Sequence, residues 1–170
     1  MAARRAETGA VSSRRVRLLD VAMGRGRHAL LLARAGFDVF GVDINVDAVA
    51  EATRQATREG LRIRAWCADL TRHPLPSARF DVVLVTRYLQ RDLLRAIGET
   101  VRPGGVVIYE TFTTRQLQFG VGPRSPDHLL QPGELRRAFE AFEMLFYEEV
   151  DAPEAVARLI ARRPQTPQSY

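Results

Sequence analysis

Lysine does not occur in the 170 residues, so all 25 strongly basic side chains are arginines. A basic complement drawn from one residue type reflects a GC-rich coding bias more than selection of a phosphate-binding face. The distribution of the net charge of +5 agrees. Residues 1–17 carry Arg4, Arg5, Arg14, Arg15 and Arg17 against Glu7, which leaves the rest close to neutral. This favours a solvated basic tail over a nucleic-acid patch. Cysteine is nearly as scarce. A lone Cys67 excludes an internal disulfide and fits a reducing, cytoplasmic setting. No apolar run approaches the ~20 residues that span a bilayer, and the N-terminal arginines precede no apolar core of the secretory type. The few histidines, the cysteine and the carboxylates are too scattered for a metal site.

What is present is a regular alternation. The length suits one α/β domain able to bury its own core. We read 1–15 as a loose basic leader, 16–163 as the domain and 164–170 as a tail. Apolar runs predict strands over 16–21, 38–42, 62–66, 80–85 and 106–110, the fourth of the kind buried on both faces of a parallel sheet. Helical patterns cover 28–35, 47–59, 91–101 and 134–140. Gly36 and Gly60 stop the first two, and Asp47 supplies an acid to the start of the second. Residues 102–105, Arg-Pro-Gly-Gly, read as a turn. The glycine- and proline-rich stretch over 111–133 is irregular. Two last strands, 142–150 and 155–162, have no helix between them and should be antiparallel. The expected fold is a doubly wound, Rossmann-like, mainly parallel sheet with right-handed crossovers and a C-terminal antiparallel hairpin.

The chemistry concentrates at the first strand–helix junction. Leu18-Leu19-Asp20-Val21-Ala22-Met23-Gly24-Arg25-Gly26 is an apolar strand ending in an acid, then a small-residue turn. The second strand closes on Asp43. Small residues let backbone N–H groups approach a ligand, the helix N-terminus faces its anionic end, and an acid after strand two can accept both ribose hydroxyls. The order D-x-A-x-G-x-G differs from the dehydrogenase G-x-G-x-x-G.

With those residues and the terminal hairpin, the chain from about 16 to 163 resembles the class I S-adenosylmethionine (SAM) methyltransferases. It is similar in particular to the small bacterial tellurite-resistance-type enzymes, through G-x-G-R-x-A-L-x-L-A-x-x-G-x-D-V-x-x-x-D between Gly24 and Asp43. The resemblance implies SAM as cofactor. Gly24 and Gly26 would turn around its methionyl part, and Asp20 would orient the amino group. Asp43 would hold the ribose, Ile44 would pack on the adenine, and Asp69 with Leu70 would meet the adenine edge. Thr86 and Arg87 would lie beside the methyl donor. Ala22 replaces the family's usual glycine, a change we expect to be tolerated at a negative φ.

On the acceptor side, Tyr88, Glu110 and Arg115 are the candidates for catalysis. Two have a plainer reading, Tyr88 as packing under a loop and Arg115 as a surface charge. Glu110 is favoured because an acid ending an apolar strand is costly to bury without a role. His28 reads as a packing or capping residue at a helix start, and His128 as part of a substrate lid, since long loops in compact domains are commonly functional or mobile. No Asn/Asp-Pro-Pro-aromatic signature follows strand four, which argues against amino-group DNA or protein-glutamine methylation. The expected activity is methyl transfer to a small-molecule acceptor. The alternatives are a non-catalytic module of the same fold and an RNA-directed enzyme. In the fold that the chain resembles, a segment before strand one covers the cofactor. With few residues there, we expect incomplete closure in the monomer. The readings are an open site for a bulky acceptor, closure by a second copy in a homodimer, or a shortened start.

Overall fold

A computed structural model describes residues 14–165. Residues 1–13 of the expected leader and 166–170 of the expected tail lie outside that range. Within it the chain runs β1 (Arg17–Val21), α1 (Arg27–Arg34), β2 (Asp38–Asp43), α2 (Val46–Arg58), β3 (Ile63–Cys67), β4 (Phe80–Thr86), α3 (Leu94–Thr100), β5 (Val101–Phe112), α4 (Glu134–Ala138), β6 (Glu143–Val150) and β7 (Val156–Arg162). One sheet joins the strands in the order β3-β2-β1-β4-β5-β7-β6. The strands from β3 to β5 are parallel, and β7 pairs antiparallel with both β5 and β6. The expected terminal hairpin is therefore present, with β7 inserted between β5 and β6. Strand order reverses between β1 and β4, which opens a crevice beyond their carboxyl ends.

Side-chain alternation distributes the core over both faces. Leu19, Val21, Val83 and Val85 pack with Ile97 of α3 and Leu135 of α4. Their neighbours Leu18, Val39 and Leu84 pack with Ala29 of α1 and with Val49 and Ala52 of α2. Strands covered on both sides need apolar residues at successive positions, which explains the continuous runs in the sequence. Helix α2 lies close to the sheet because its buried residues are small: Ala48, Val49, Ala52 and Ala56. Asn45 starts it, its Oδ1 accepting from the N–H groups of Asp47 and Ala48, each at 3.0 Å. Gly41 lacks a side chain for a steric reason. A Cβ there would stand 2.1 Å from Sδ of Met23, which fills that space.

Two sequence expectations need correction. The turn expected at 102–105 lies inside β5 as a bulge. Register jumps from Phe80↔Val101 to Val82↔Val106, so the extra residues arch out with Gly104 at φ +76°. The bulge serves Asp81, the one acid of β4. Its buried carboxylate pairs with Arg102 and with Arg14 and accepts the N–H of Arg17 at 2.7 Å. The irregular stretch after 110 is also partly ordered. β5 continues to Phe112, and 3-10 turns cover Thr114–Phe119 and Pro126–His128. Buried Gln116 anchors the first of these, accepting from Ala155 N at 2.7 Å and donating to the Val121 carbonyl at 3.1 Å.

Candidate functional site

The turn after β1 has a left-handed backbone at alternate positions: Ala22 at φ +55°, Gly24 at +54° and Gly26 at +79°. Glycine adopts that region freely, whereas an L residue pays sterically. The negative φ expected at Ala22 is thus corrected, because the curvature that brings the chain into α1 requires the opposite sign. Gly26 is further constrained by closeness, since a Cβ there would meet that of Ala52 at 2.9 Å. The strain at Ala22 is removable. Ala22→Gly is expected to stabilise the protein by about 1 kcal/mol, the left-handed cost less glycine's extra unfolded-state freedom. Urea unfolding of the two proteins checks the sign.

Asp20 sits beneath this turn with 1% of its surface exposed, and among the described residues neither carboxylate oxygen has a hydrogen-bond partner. Burial drives its pKa up to about 7. The nearby Ala29 N–H, short of a formed hydrogen bond, pulls the other way, and the charge of Asp43 adds to the rise. Asp43 is held differently. One oxygen accepts the N–H of Gly24 at 2.7 Å and the other that of Asn45 at 2.9 Å. That arrangement fixes the carboxylate plane at the end of β2.

A cavity of about 260 Å³ opens beside it. Ala22, Asp43, Ile44, Asp69 and Leu70 line it, and Tyr88 and Gln90 close the far wall. Ile44 is 69% exposed, an apolar surface open to solvent. Asp69 combines both roles considered for it. It borders the cavity and also accepts from Thr71 N and Oγ1 at 3.0 and 2.7 Å, contacts that hold its pKa below the usual carboxylate range.

Tyr88 also lines two adjoining cavities of about 340 and 320 Å³, bounded by the 87–92 segment and by His128. The tyrosine stands between the first cavity and these two. Its hydroxyl donates to Gln90 Oε1 at 2.5 Å, and burial with the charges of Asp69 and Asp43 raises its pKa. At neutral pH it is a hydrogen-bond donor and not a base.

The other acceptor-side candidates lie elsewhere. Glu110 pairs at 2.7 Å with Arg158, which also holds Glu148 at 2.9 Å. The three stand in cross-strand register on β5, β7 and β6, an ionic ladder across the hairpin. Arg115 pairs with Asp151 on the surface. Neither residue lines the cavities around Tyr88.

The structure adds two residues that the sequence gave little reason to join. Thr86, at the end of β4, lies 3.2 Å through Oγ1 from Nδ1 of His28 in the first turn of α1. Burial lowers the pKa of His28, so the imidazole is neutral at pH 7. Fifty-eight positions separate the two, and no local pattern reports such a contact. Arg87, next to Thr86, has φ +54° and reaches Glu154 on the loop between β6 and β7.

Residues 18–105 match the family model described as "Methyltransferase domain". The chain belongs to this methyltransferase family. It is 32% identical over 171 residues to the demethylmenaquinone methyltransferase of Thermus thermophilus, a match covering 93% of this chain and 78% of that one. Among solved structures, the [4+2]-cyclase SpnF superposes with a TM-score of 0.76 at 23% identity, covering 89% and 76% of the two chains. TehB from Haemophilus influenzae superposes with a TM-score of 0.71 at 21% identity, covering 89% and 58%. At such identities the superpositions establish the fold, and it is the class I methyltransferase fold expected from the motif and hairpin. The methyltransferase assignment rests on the family match and the Thermus relative.

Proposed function

We propose that this methyltransferase uses SAM and transfers its methyl group to a small-molecule acceptor held around Tyr88. The observation that carries the reading is the unpartnered Asp20 carboxylate, buried under a turn of left-handed residues. An orphaned buried acid is costly unless a cation or donor reaches it, and the ammonium of SAM is such a group. When bound, SAM supplies an electrophilic methyl group on a sulfonium centre.

The chain's residues divide the remaining work. Asp43 keeps lone pairs for the ribose hydroxyls while its backbone tethers hold it in plane. Ile44 and Leu70 offer apolar surface to the adenine, and Asp69 an acceptor at its edge. The first-turn N–H groups of α1, without helical partners, suit a carboxylate. Thr86 and Tyr88 border the place where the acceptor meets the methyl donor. Alignment of the acceptor within ~3–3.5 Å and exclusion of water can contribute ~7–11 kcal/mol without a dedicated base. The acceptor's own acidity then decides whether a proton must leave with the transfer. The Thermus relative's name, a demethylmenaquinone methyltransferase, supports an acceptor of small-molecule class.

Calorimetric titration tests the reading. SAM and S-adenosylhomocysteine are expected to bind at micromolar concentration, and NAD is not. A folded protein that binds neither adenosyl-sulfur ligand would overturn it. Binding of both without turnover across a broad acceptor screen would favour a non-catalytic module of the same fold.

A further inference from the structure

We propose that Arg87 is a receptor for a carboxylate on the acceptor, and that Glu154 occupies it as an internal stand-in. This rests on the reading of the Tyr88 cavities as the acceptor site. Arg87 reaches Glu154 with both ends of its fork, Nη1 to Oε1 at 2.9 Å and Nη2 to Oε2 at 2.5 Å. The planar guanidinium therefore already binds a carboxylate in the bidentate geometry it reads best.

The pair is exchangeable because both partners are well exposed, at 39% and 42% of their side-chain surface. Solvent reaches both groups, so water and a competing carboxylate can exchange with the pair. Arg87 has supports besides Glu154. Its backbone, at φ +54°, donates to the Glu110 carbonyl at 2.8 Å, and its guanidinium lies 4.9 Å from the centre of the Phe112 ring. A non-glycine residue in the left-handed region at a strand end marks a place where function tolerates strain. Losing Glu154 leaves a preorganised cation in the wall of the 320 Å³ cavity.

The rest of that wall defines the ligand. Tyr88, Leu89, Phe112 and Pro123 give flat apolar surface, with His128 at the side. A planar ring carrying a carboxylate matches both halves, the ring against the apolar surface and the carboxylate in the fork. Glu154, on the neighbouring loop, then acts as the group an acceptor must displace, so neutral molecules that fit the cavity by shape gain nothing from Arg87.

Benzoate, with benzamide as its neutral counterpart, is the direct probe, titrated by calorimetry into protein saturated with S-adenosylhomocysteine. Benzoate is expected to bind at least tenfold more tightly than benzamide. Glu154→Gln should strengthen benzoate binding about tenfold, Arg87→Gln should erase the preference, and Arg87→Lys should retain part of it. Equal binding of the two probes, or a Glu154→Gln variant with unchanged benzoate affinity, would overturn the proposal. S-Adenosylhomocysteine affinity, measured in every variant, reports separately on fold and cofactor site. Should that ligand fail to bind the wild type, the SAM reading falls while the benzoate–benzamide comparison, run on the free protein, still decides the fate of Arg87.

Discussion

Asp43→Ala is expected to weaken binding of S-adenosylhomocysteine by about a hundredfold or more. The carboxylate of the wild type is tethered by Gly24 and Asn45. Each of its oxygens therefore presents a fixed lone pair, and hydrogen bonds to an ionised acceptor contribute ~1.5–3 kcal/mol each. Losing two of them from the ribose amounts to at least ~3 kcal/mol, or about two decades in Kd. Alanine also frees the N–H of Gly24, so the turn proposed to face the methionyl part loses a restraint. Asp43→Asn should fall between the two. One side of the amide keeps an acceptor, and the other turns a donor toward a backbone N–H. Calorimetry on all three proteins, with thermal unfolding as the control for folding, tests the order. An alanine variant that binds as the wild type does would remove Asp43 from the cofactor site.

The second large effect concerns pH. The folded-state pKa of Asp20 rises to about 7 from an ordinary carboxyl value of 3.8. A raised acid favours the folded state in its neutral form. Its contribution is therefore complete below about pH 4 and is lost as pH rises through about 7, over a range worth about 4 kcal/mol. Asp20→Asn removes the titration. The stability of the variant relative to wild type should consequently grow by about that amount between pH 4 and pH 8, whatever constant offset the amide brings. Denaturant unfolding of both proteins at several pH values measures it, and parallel curves would show that Asp20 does not titrate in this range.

Under the SAM reading the same group gives binding a definite proton linkage. A ligand ammonium beside Asp20 favours the ionised carboxylate, so affinity at pH 6 should be about tenfold below that at pH 8. At pH 6 a proton should be released on binding, seen as a buffer-dependent heat that disappears in Asp20→Asn.

Much of this architecture is legible in the chain, because doubly covered strands must be apolar throughout and their ends must be marked. Asp20, Asp43, Gly36 and Gly60 provide such marks, and a lack of any helix between the last two strands dictates their antiparallel pairing. The bulge in β5 was hidden because Arg102-Pro103-Gly104-Gly105 has the composition of a turn, and only Asp81 across the sheet explains why the residues stay in the strand. Backbone sign is also invisible in a residue name. Alanine and arginine occur almost everywhere at negative φ, so the left-handed Ala22 and Arg87 carry no local signal. The contacts of His28 with Thr86 and of Glu110 with Arg158 depend on strand order and register, which assemble residues dozens of positions apart. Asp69 shows the limit from the other side, since one carboxylate both closes its own turn and borders the cavity.

The ionic cluster around Asp81 lies at the amino end of β4, and Thr86, Arg87 and Tyr88 lie at the other end. The sheet therefore has a clamped rim and a working rim, separated by the apolar length of a strand. Under the proposed reading, substitutions on the working rim would change which molecules the protein accepts while the clamp and the core keep the sheet assembled. Relatives sharing this scaffold can in this way diverge toward new acceptors in small steps, each leaving the folding of the chain nearly untouched.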